Sequence, residues 1–278
     1  MHATHSPRTW RCAFGALIGG LLLSGAARAW VRPVDLFPRA AAAYLVAVNG
    51  EALWARAPKV PHPVGSLTKL LAALCLLESG WDADAVVPVS PRAAGTNGTR
   101  LGLRAGEQAR AGDLLTAMLV ASSNDACLAL AEHATGDAIV FVARMNARAA
   151  RLGMRDSHFE HPCGLDHVGQ FSTAADLLQL AKAVYAEPWL MRVVSQRYGE
   201  LRTLQGRRLT YHSSNLLLGR LEGAVGLKTG TTSQAGHCLI ATARRGSHTL
   251  TVVLLDAADR WSTASVLIEE GFRASAGP

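Results

Sequence analysis

Ser66 and Lys69 are the residues whose types and spacing most directly suggest chemistry, and they stand in the tetrapeptide Ser66-Leu67-Thr68-Lys69. A spacing of three places the hydroxyl and the amine on one face of a helix, within reach of each other. A serine hydroxyl becomes a good nucleophile when a neighbouring base takes its proton, and an amine of lowered pKa can be that base. The spacing therefore predicts a nucleophilic serine beside a lysine base.

Lysine is rare in this chain, in which only four of the 28 basic residues are lysines: Lys59, Lys69, Lys182 and Lys228. Two of the four fall in motifs that could carry chemistry. An arginine would keep its proton, so lysine is the cation that can act as a base. We expect Lys69 to lie in a cleft near Lys228, because burial and a neighbouring positive charge both lower the pKa of an amine.

A second polar group, Ser122-Ser123-Asn124, interrupts two apolar helical runs, Leu114–Val120 and Ala126–Ala131. A hydroxyl at the edge of a cleft can pass a proton to a leaving amine. The carboxamide of Asn124 can hold a peptide group of a substrate. Ser213-Ser214-Asn215 repeats the S-x-N pattern outside the helical segment, and the first copy is preferred as the site.

The third group is Lys228-Thr229-Gly230, which with Thr231 lies in a strand-like run. Strand alternation places Lys228 and Thr229 on opposite faces, so a ligand that touches both must meet the strand at its edge. A carboxylate could bind there. Gly230 is predicted to leave room for the close approach of a ligand backbone, and an extended peptide could add along this edge.

The elements that must position these residues follow from periodicity. Asn49-Gly50 between two extended runs predicts a hairpin, Tyr44–Val48 with Ala52–Ala57. Residues from Leu67 to about Tyr185 have helical periodicity. Strand-like runs return further on, followed by a helix, and they occupy the following residues: Val225–Thr229, His237–Ala243, Thr249–Leu255 and Ser262–Phe272.

These patterns predict an α/β fold in which one antiparallel sheet is made from the N-terminal hairpin and the C-terminal strands. Helices flank that sheet, and a mostly helical subdomain of about residues 70–190 is inserted between its two halves. Thr173-Ala174-Ala175-Asp176 resembles a helix-capping box, and Gly153 suits a helix C-terminus.

Residues 1–29 have the features of a signal peptide: two arginines, an apolar stretch from Ala13 to Ala26, and Ala27-Arg28-Ala29 as the cleavage site. Cleavage would leave residues 30–278 as one catalytic domain in the periplasm, with no stable membrane anchor expected. The net charge of +7 then falls to +4, from 25 basic and 21 acidic residues. Because the arginines are scattered and aromatic residues are few, a nucleic-acid partner is not expected.

Four cysteines follow the predicted cleavage site, and they form neither a C-x-x-C pair nor a group with histidines at zinc spacing. No metal site is therefore predicted. Cys75 and Cys127 lie in apolar runs and are expected to be buried thiols. Cys163 and Cys238 could form a disulfide in an oxidising compartment.

In their order and their combination, S-x-x-K at Ser66, S-x-N at Ser122 and K-T-G at Lys228 form the motif set of penicillin-binding proteins and class A β-lactamases. The chain resembles the D-alanyl-D-alanine carboxypeptidases, the low-molecular-mass penicillin-binding proteins. Further stretches resemble landmarks of that family: Asn124-Asp125-Ala126, Phe159 through Asp166, Phe171-Ser172-Thr173-Ala174 and Ala235-Gly236-His237-Cys238-Leu239.

The resemblance implies a β-lactamase-like transpeptidase fold and a penicillin-sensitive enzyme without a cofactor. Its substrates would be peptidoglycan stem peptides, and β-lactams would be covalent inhibitors. It assigns the nucleophile to Ser66, the general base to Lys69, and proton transfer and positioning to Ser122 and Asn124. Lys228 and Thr229 would hold the terminal carboxylate, and the backbone N–H groups of Ser66 and Thr231 would form the oxyanion hole.

His161 and Cys163 depart from the asparagine and histidine more common in the family at these positions. The main alternative is a D,D-endopeptidase that cleaves cross-links, although Asn124-Asp125-Ala126 favours the carboxypeptidase branch. A β-lactamase would need E-x-x-L-N, and Glu187-Pro188-Trp189-Leu190-Met191 lacks the asparagine. A non-catalytic wall-binding protein would have lost Ser66 or Lys69, and both are present.

Overall fold

A computed structural model of the protein describes residues 35–78 and 80–275. The described residues belong to one compact unit. The predicted signal peptide, residues 1–29, lies outside the described residues. Among those that are described, no single helix is both long and apolar enough to cross a membrane, and one sharply bent pair of helices reaches the required length and composition only in combination.

The central element is a five-stranded antiparallel sheet with the strand order β2-β1-β9-β8-β7. Its strands are β1 (Ala43–Val48), β2 (Glu51–Arg56), β7 (Ala224–Thr232), β8 (Gly236–Arg245) and β9 (His248–Leu255). The predicted N-terminal hairpin is β1 with β2, and β1 pairs directly with β9. The prediction of one sheet from the two ends of the chain is therefore confirmed, and β7 lies at an edge.

Alternation along the strands divides the core between the two faces of this sheet. Leu45 packs in the larger apolar cluster with the helical segment, whereas its neighbours Tyr44 and Val46 pack on the other face. The second face is covered by the C-terminal helix α8 (Arg260–Ser275), which contributes the buried residues Leu267 and Ile268. Successive strand residues point to opposite faces, so both faces of the sheet are buried.

The two apolar runs on either side of Ser122-Ser123-Asn124 lie in separate helices of the helical segment, as predicted. The helices are α1 (Thr68–Leu77), α2 (Pro91–Ala94), α3 (Ala111–Val120), α4 (Asn124–Thr135), α5 (Ala138–Arg151), α6 (Ala174–Tyr185) and α7 (Pro188–Val194). Thr173 caps α6 by accepting a hydrogen bond from the backbone N–H of Asp176, and Gly153 follows α5 with a φ of +77°. Both helix-end predictions are confirmed.

Two small strand pairs were not predicted. β3 (Val86–Pro88) pairs with β4 (Gln108–Arg110), and β5 (Tyr198–Arg202) pairs with β6 (Arg208–His212). The first pair is only three residues long, too short for a period to be recognised. The second is rich in arginine and largely exposed, so its alternation lacks the apolar residues that mark a buried strand.

The cysteine prediction is wrong, because the disulfide joins Cys127 to Cys163, with 5.9 Å between their Cα atoms. Cys127 lies in α4, and Cys163 lies in the segment from His161 to Asp166, which we call the 161–166 loop. This loop returns to the start of α4 and brings the two residues to a separation suitable for a disulfide. Cys238 is on β8, where its sulfur lies 3.3 Å from the carbonyl oxygen of Ala235. Cys75 is buried in α1, as predicted.

The 161–166 loop packs tightly against the turn that precedes α1. Gly164 has a φ of +76°, and a Cβ atom there would lie 2.0 Å from the carbonyl oxygen of Gly65. Gly153 has nearly the same φ, +77°, but no atom lies within 4 Å of its Cβ position. Alanine substitutions at the two glycines can therefore be compared: both place a side chain on a left-handed backbone, but only the one at Gly164 also meets a close backbone contact.

We predict that Gly164→Ala lowers the free energy of unfolding more than Gly153→Ala does. Both variants place a side chain at positive φ, at a cost of about 1–2 kcal/mol. Gly164→Ala also forces apart two backbone segments, which adds roughly 1–3 kcal/mol. Urea denaturation of both variants measures the difference. Equal losses of stability would show that the loop moves away from Gly65 without strain.

Candidate active site

Ser66 and Lys69 meet where the chain enters its first long helix. Ser66 lies in a short 3-10 turn, Gly65–Leu67, that continues directly into α1. The Nζ atom of Lys69 lies 2.9 Å from the Oγ atom of Ser66. The Ser66 side chain is half-buried, whereas Lys69 has no exposed surface. The predicted contact between hydroxyl and amine is therefore present.

Two further oxygen atoms accept hydrogen bonds from Lys69. They are Oδ1 of Asn124, at 2.7 Å, and the carbonyl oxygen of Cys163, at 2.6 Å. The amine is thus held by three parts of the chain: the turn before α1, the start of α4 and the 161–166 loop. The role of the Cys163 carbonyl was not predicted, because a backbone oxygen has no signature in the sequence.

Burial holds the pKa of Lys69 well below its ordinary value. The positive charge of Lys228 lowers this pKa further, while Asp125 opposes the shift. Both causes given by the sequence analysis, burial and Lys228, are therefore present. A neutral amine has a free lone pair, so Lys69 is suited to accept the proton of Ser66.

The Ser122 turn joins α3 to α4 and has a constrained backbone. Ser122 has a φ of +63°, which is uncommon for a residue with a side chain. Such conformations cluster at functional sites, where the surrounding structure holds them. Asn124 follows at the first position of α4, with its Nδ2 group 2.6 Å from the carbonyl oxygen of Asn97. Its amide side chain therefore connects Lys69 to the segment that precedes Leu101.

Asp125 has a role that the sequence analysis missed. Its buried carboxylate accepts hydrogen bonds from the backbone N–H groups of Leu101, Gly102 and Leu103, at 2.8 to 3.1 Å. These three hydrogen bonds hold the loop beside Asn124 in place, although the loop has no regular secondary structure. An acidic residue immediately after an S-x-N motif is the only local signal of this role, and it does not identify the partner loop.

The K-T-G group lies on the edge strand β7, as predicted. Lys228 is only 1% exposed, and its Nζ atom donates to the carbonyl oxygen of Thr229 at 3.0 Å. Arg260, at the start of α8, donates from Nη1 to Oγ1 of Thr231 and to the carbonyl oxygen of Gly230, both at 2.8 Å. The result is a positively charged strand edge, to which the guanidinium of Arg260 contributes beyond the predicted residues.

The reason given for Gly230 requires a correction. A Cβ atom at Gly230 would lie 2.5 Å from the carbonyl oxygen of Val64, in the segment that leads into the Ser66 turn. The close backbone neighbour is therefore part of this chain, and no ligand is needed to explain the glycine. Thr231 lies at the same junction, with its backbone nitrogen 3.2 Å from the Cβ position of Gly65. The absence of a side chain at Gly230 brings β7 beside Ser66.

The second S-x-N group contacts the K-T-G strand. The hydroxyl groups of Ser214 and Thr229 lie 2.7 Å apart. The first S-x-N group, by contrast, supplies the direct partner of Lys69 through Asn124. Asn124 of the preferred first group therefore lies beside the amine, the role of Ser122 stays a prediction, and Ser214 is an additional neighbour of the K-T-G strand.

The 161–166 loop contacts both the Lys69 amine and the end of β7. Oδ2 of Asp166 accepts a hydrogen bond from the hydroxyl of Ser233, at 2.9 Å, which joins the loop to the end of β7. Burial and the nearby Lys69 lower the pKa of His161 to about 4. His161 is therefore neutral at pH 7, and its Nδ1 atom accepts from the backbone N–H of Cys163. Among residues 35–78 and 80–275, no cluster of three potential metal-ligating side chains occurs.

A serine hydrogen-bonded to a buried lysine, at the junction of an antiparallel sheet and a helical segment, is the arrangement expected of penicillin-binding proteins and class A β-lactamases. Residues 37–259 match the family model described as D-alanyl-D-alanine carboxypeptidase. The chain belongs to the D-alanyl-D-alanine carboxypeptidase family.

Some relatives that are similar to this chain are named carboxypeptidase and others are named endopeptidase. The D-alanyl-D-alanine carboxypeptidase DacF of Bacillus subtilis is 29% identical over 83% of this chain, which spans 62% of the relative's length. A D-alanyl-D-alanine endopeptidase of Pseudomonas aeruginosa is 31% identical over 77% of this chain and 70% of its own. The structure of a D-alanyl-D-alanine carboxypeptidase from Mycobacterium tuberculosis is 30% identical, with a TM-score of 0.81 over 87% of this chain and 95% of its own.

We predict that protonation of Lys228 makes the stability of the protein depend on pH. Burial, together with Arg260, lowers its pKa from 10.5 to about 7. Between these values the unfolded chain holds a proton that the folded protein lacks, so stability rises with pH. The wild type should gain up to about 1.4 kcal/mol per pH unit over a Lys228→Met variant between about pH 7 and 9. Urea denaturation across this range measures the difference, and parallel curves would contradict it.

Proposed function

We propose that this chain is a serine D-alanyl-D-alanine carboxypeptidase that removes the terminal D-alanine from peptidoglycan pentapeptide stems. The observation that carries the proposal is the 2.9 Å contact between Ser66 Oγ and the buried amine of Lys69. Family membership supports the same activity. Ser66 is the nucleophile and Lys69 is the general base.

Acylation begins when Lys69 takes the proton of Ser66 as Oγ attacks the carbonyl carbon between the two D-alanines. Its lowered pKa supplies the neutral amine that this step needs. The carbonyl becomes an oxyanion, for which the backbone N–H groups of Ser66 and Thr231 are the proposed donors. The proximity of β7 to the Ser66 turn supports this assignment.

Collapse of the intermediate breaks the peptide bond and releases D-alanine. The leaving amine takes the proton from Lys69 by way of the Ser122 hydroxyl, and Asn124 holds the substrate's peptide group. A water molecule then attacks the ester on Ser66, its proton passes to Lys69, and Lys69 returns a proton to Ser66 Oγ as the ester bond breaks. The second product is the shortened stem peptide, and Ser66 is restored.

The terminal carboxylate of the stem binds at the edge of β7. Lys228, Thr229 and Thr231 supply the polar groups there, and Gly230 allows the strand to lie beside Ser66. Because Arg260 is positively charged and Lys228 becomes so on protonation, a carboxylate is favoured over a neutral end. An extended stem peptide can align along this edge strand. A β-lactam, which carries both a carboxylate and a reactive carbonyl, would acylate Ser66 in the same position.

Cleavage of cross-links by a D,D-endopeptidase is the second candidate function. The Pseudomonas relative named endopeptidase is 31% identical to this chain, and the Bacillus relative named carboxypeptidase is 29% identical. Both reactions use the same acyl-enzyme on a D-alanine carbonyl. They differ in the leaving group, which is free D-alanine in one reaction and a second stem peptide in the other.

We predict that Ser66→Ala abolishes the release of D-alanine and that Lys69→Arg lowers it by at least about a thousandfold. Arginine keeps the positive charge but does not give up its proton, so it cannot act as the base. The measurement is mass analysis of a pentapeptide-stem muropeptide and of a cross-linked dimer after incubation with each purified protein.

A Lys182→Arg variant is the matched control, because Lys182 lies in α6 outside the site and the exchange is the same. Release of D-alanine from the pentapeptide alone supports the carboxypeptidase, whereas loss of the dimer alone assigns the endopeptidase. If the Ser66→Ala variant forms product as well, Ser66 is not the nucleophile.

We further propose that the chain acts in the periplasm after removal of residues 1–29. The disulfide between Cys127 and Cys163 supports this location, because such bonds persist in oxidising compartments. Fractionation of expressing cells, followed by N-terminal sequencing, should find a periplasmic protein that begins at Trp30. An uncleaved protein in the cytosolic fraction would contradict the proposal.

A further inference from the structure

The Cys127–Cys163 disulfide lies beside the amine proposed as the catalytic base. Cys127 is in α4, three residues after Asn124, and Cys163 is in the 161–166 loop. Both cysteines are buried, at 1% and 0% exposure. The bond therefore joins one helix and one irregular loop inside the protein.

The two elements that the disulfide joins supply two of the three hydrogen-bond acceptors of Lys69. The loop supplies the carbonyl oxygen of Cys163 itself, at 2.6 Å, and α4 supplies Oδ1 of Asn124, at 2.7 Å. The disulfide thus restrains how far the loop and α4, which carry these two acceptors, can move apart. The third partner, Ser66 Oγ, belongs to a separate segment.

The other contacts of the loop do not replace this connection. The backbone N–H of Cys163 donates to His161, within the loop. Asp166 joins the far end of the loop to Ser233, beyond β7. Gln170 donates to the carbonyl oxygen of Leu165 and so braces the loop from its own C-terminal side. Besides the disulfide, Cys163 meets α4 where its sulfur lies 3.7 Å from the carbonyl oxygen of Asn124, and through the Lys69 amine, which both elements hold.

From this geometry we infer that the Cys127–Cys163 disulfide is a positioning element for Lys69, so that acylation of Ser66 is fast in the oxidised protein and slow in the dithiol. The inference rests on the proposed function. Reduction by an external dithiol adds two electrons and two protons, converts the disulfide to two thiols and leaves the reductant as a disulfide. Two thiol sulfurs cannot remain at bonding distance, so the buried pair must separate.

The loop is the element expected to move. Asp125, next to Asn124 in α4, is held by three backbone N–H groups, and the helix has its own ladder of hydrogen bonds. The loop has irregular backbone and carries the Cys163 carbonyl. Its displacement removes one acceptor from Lys69 and admits water beside the amine.

Water entry provides a signature that general destabilisation would not. The charged and titratable groups around Lys69 are Lys228 on β7, Asp125 on α4 and His161 in the loop. Burial is the main cause that lowers the pKa of Lys69. Hydration of the amine therefore raises its pKa, and the acid limb of the pH profile for acylation moves to higher pH.

The test measures the second-order rate of acylation by a fluorescent penicillin, as a function of pH, for the oxidised protein and for the same protein after dithiothreitol. We expect the rate to fall at least tenfold on reduction and to return on reoxidation, with the acid limb shifted upward in the reduced form. Circular dichroism sets a temperature at which the reduced protein is folded. A Cys127→Val/Cys163→Ala variant gives a second form without the bond and should be slow with or without the reductant.

Cys75→Ala is the matched control, because Cys75 is buried in α1 outside the disulfide. It should respond to reduction as the wild type does. Equal rates in the oxidised and reduced proteins would overturn the inference. A lower rate with an unchanged acid limb would also overturn it, since the bond would then support only the fold. Absence of Ser66-dependent acylation in the oxidised wild type would instead refute the proposed function.

Discussion

The burial of the Lys69 amine is the constraint on which the rest of the site depends. An amine without exposed surface requires acceptors for its protons, and Lys69 has three within 2.9 Å. Because Asn124 and Cys163 are 55 and 94 residues away in the chain, these acceptors exist only if α1, α4 and the 161–166 loop converge. The same burial lowers the pKa of the amine. The burial of Lys69 therefore accounts both for the lowered pKa that the chemistry needs and for the convergence of these three segments.

The position of β7 connects this buried amine to the sheet. β7 lies at an edge, where its backbone groups can meet an extended ligand. Gly230 permits the strand to approach Val64, and so places Thr231 beside the Ser66 turn. Exposed edge strands invite unwanted pairing, and buried or charged residues on the edge counter it. Lys228 and Arg260 provide that charge and favour an anionic ligand at the same place.

The polar walls of the cleft are held by groups that do not themselves meet a substrate in the proposed mechanism. Asp125 satisfies three backbone N–H groups of one loop. Asp166 joins the 161–166 loop to the end of β7. The positive φ of Ser122 is maintained between two buried helices. Such outer contacts keep the reacting groups close to a productive geometry, and small displacements of these groups slow a reaction strongly.

Several features could be predicted from the sequence because they depend on local patterns. The spacing of Ser66 and Lys69 defines their contact within one turn of helix. The alternation along β7 separates Lys228 from Thr229, and Asn49-Gly50 defines a hairpin with only two residues in its turn. The apolar runs predicted the long helices because their period is that of the α-helix. The resemblance to a known family indicated that the three motifs belong to one active site.

Other features depended on which distant segments pack together, and only the tertiary structure decided them. Cys127 pairs with Cys163, and Cys238 does not, because the 161–166 loop returns to α4. The three partners of Asp125, the carbonyl of Cys163 and the contact of Ser214 with Thr229 likewise join residues far apart in the chain. Backbone donors and acceptors are the same at every position, so sequence indicates where a local element forms but not which distant group will satisfy it.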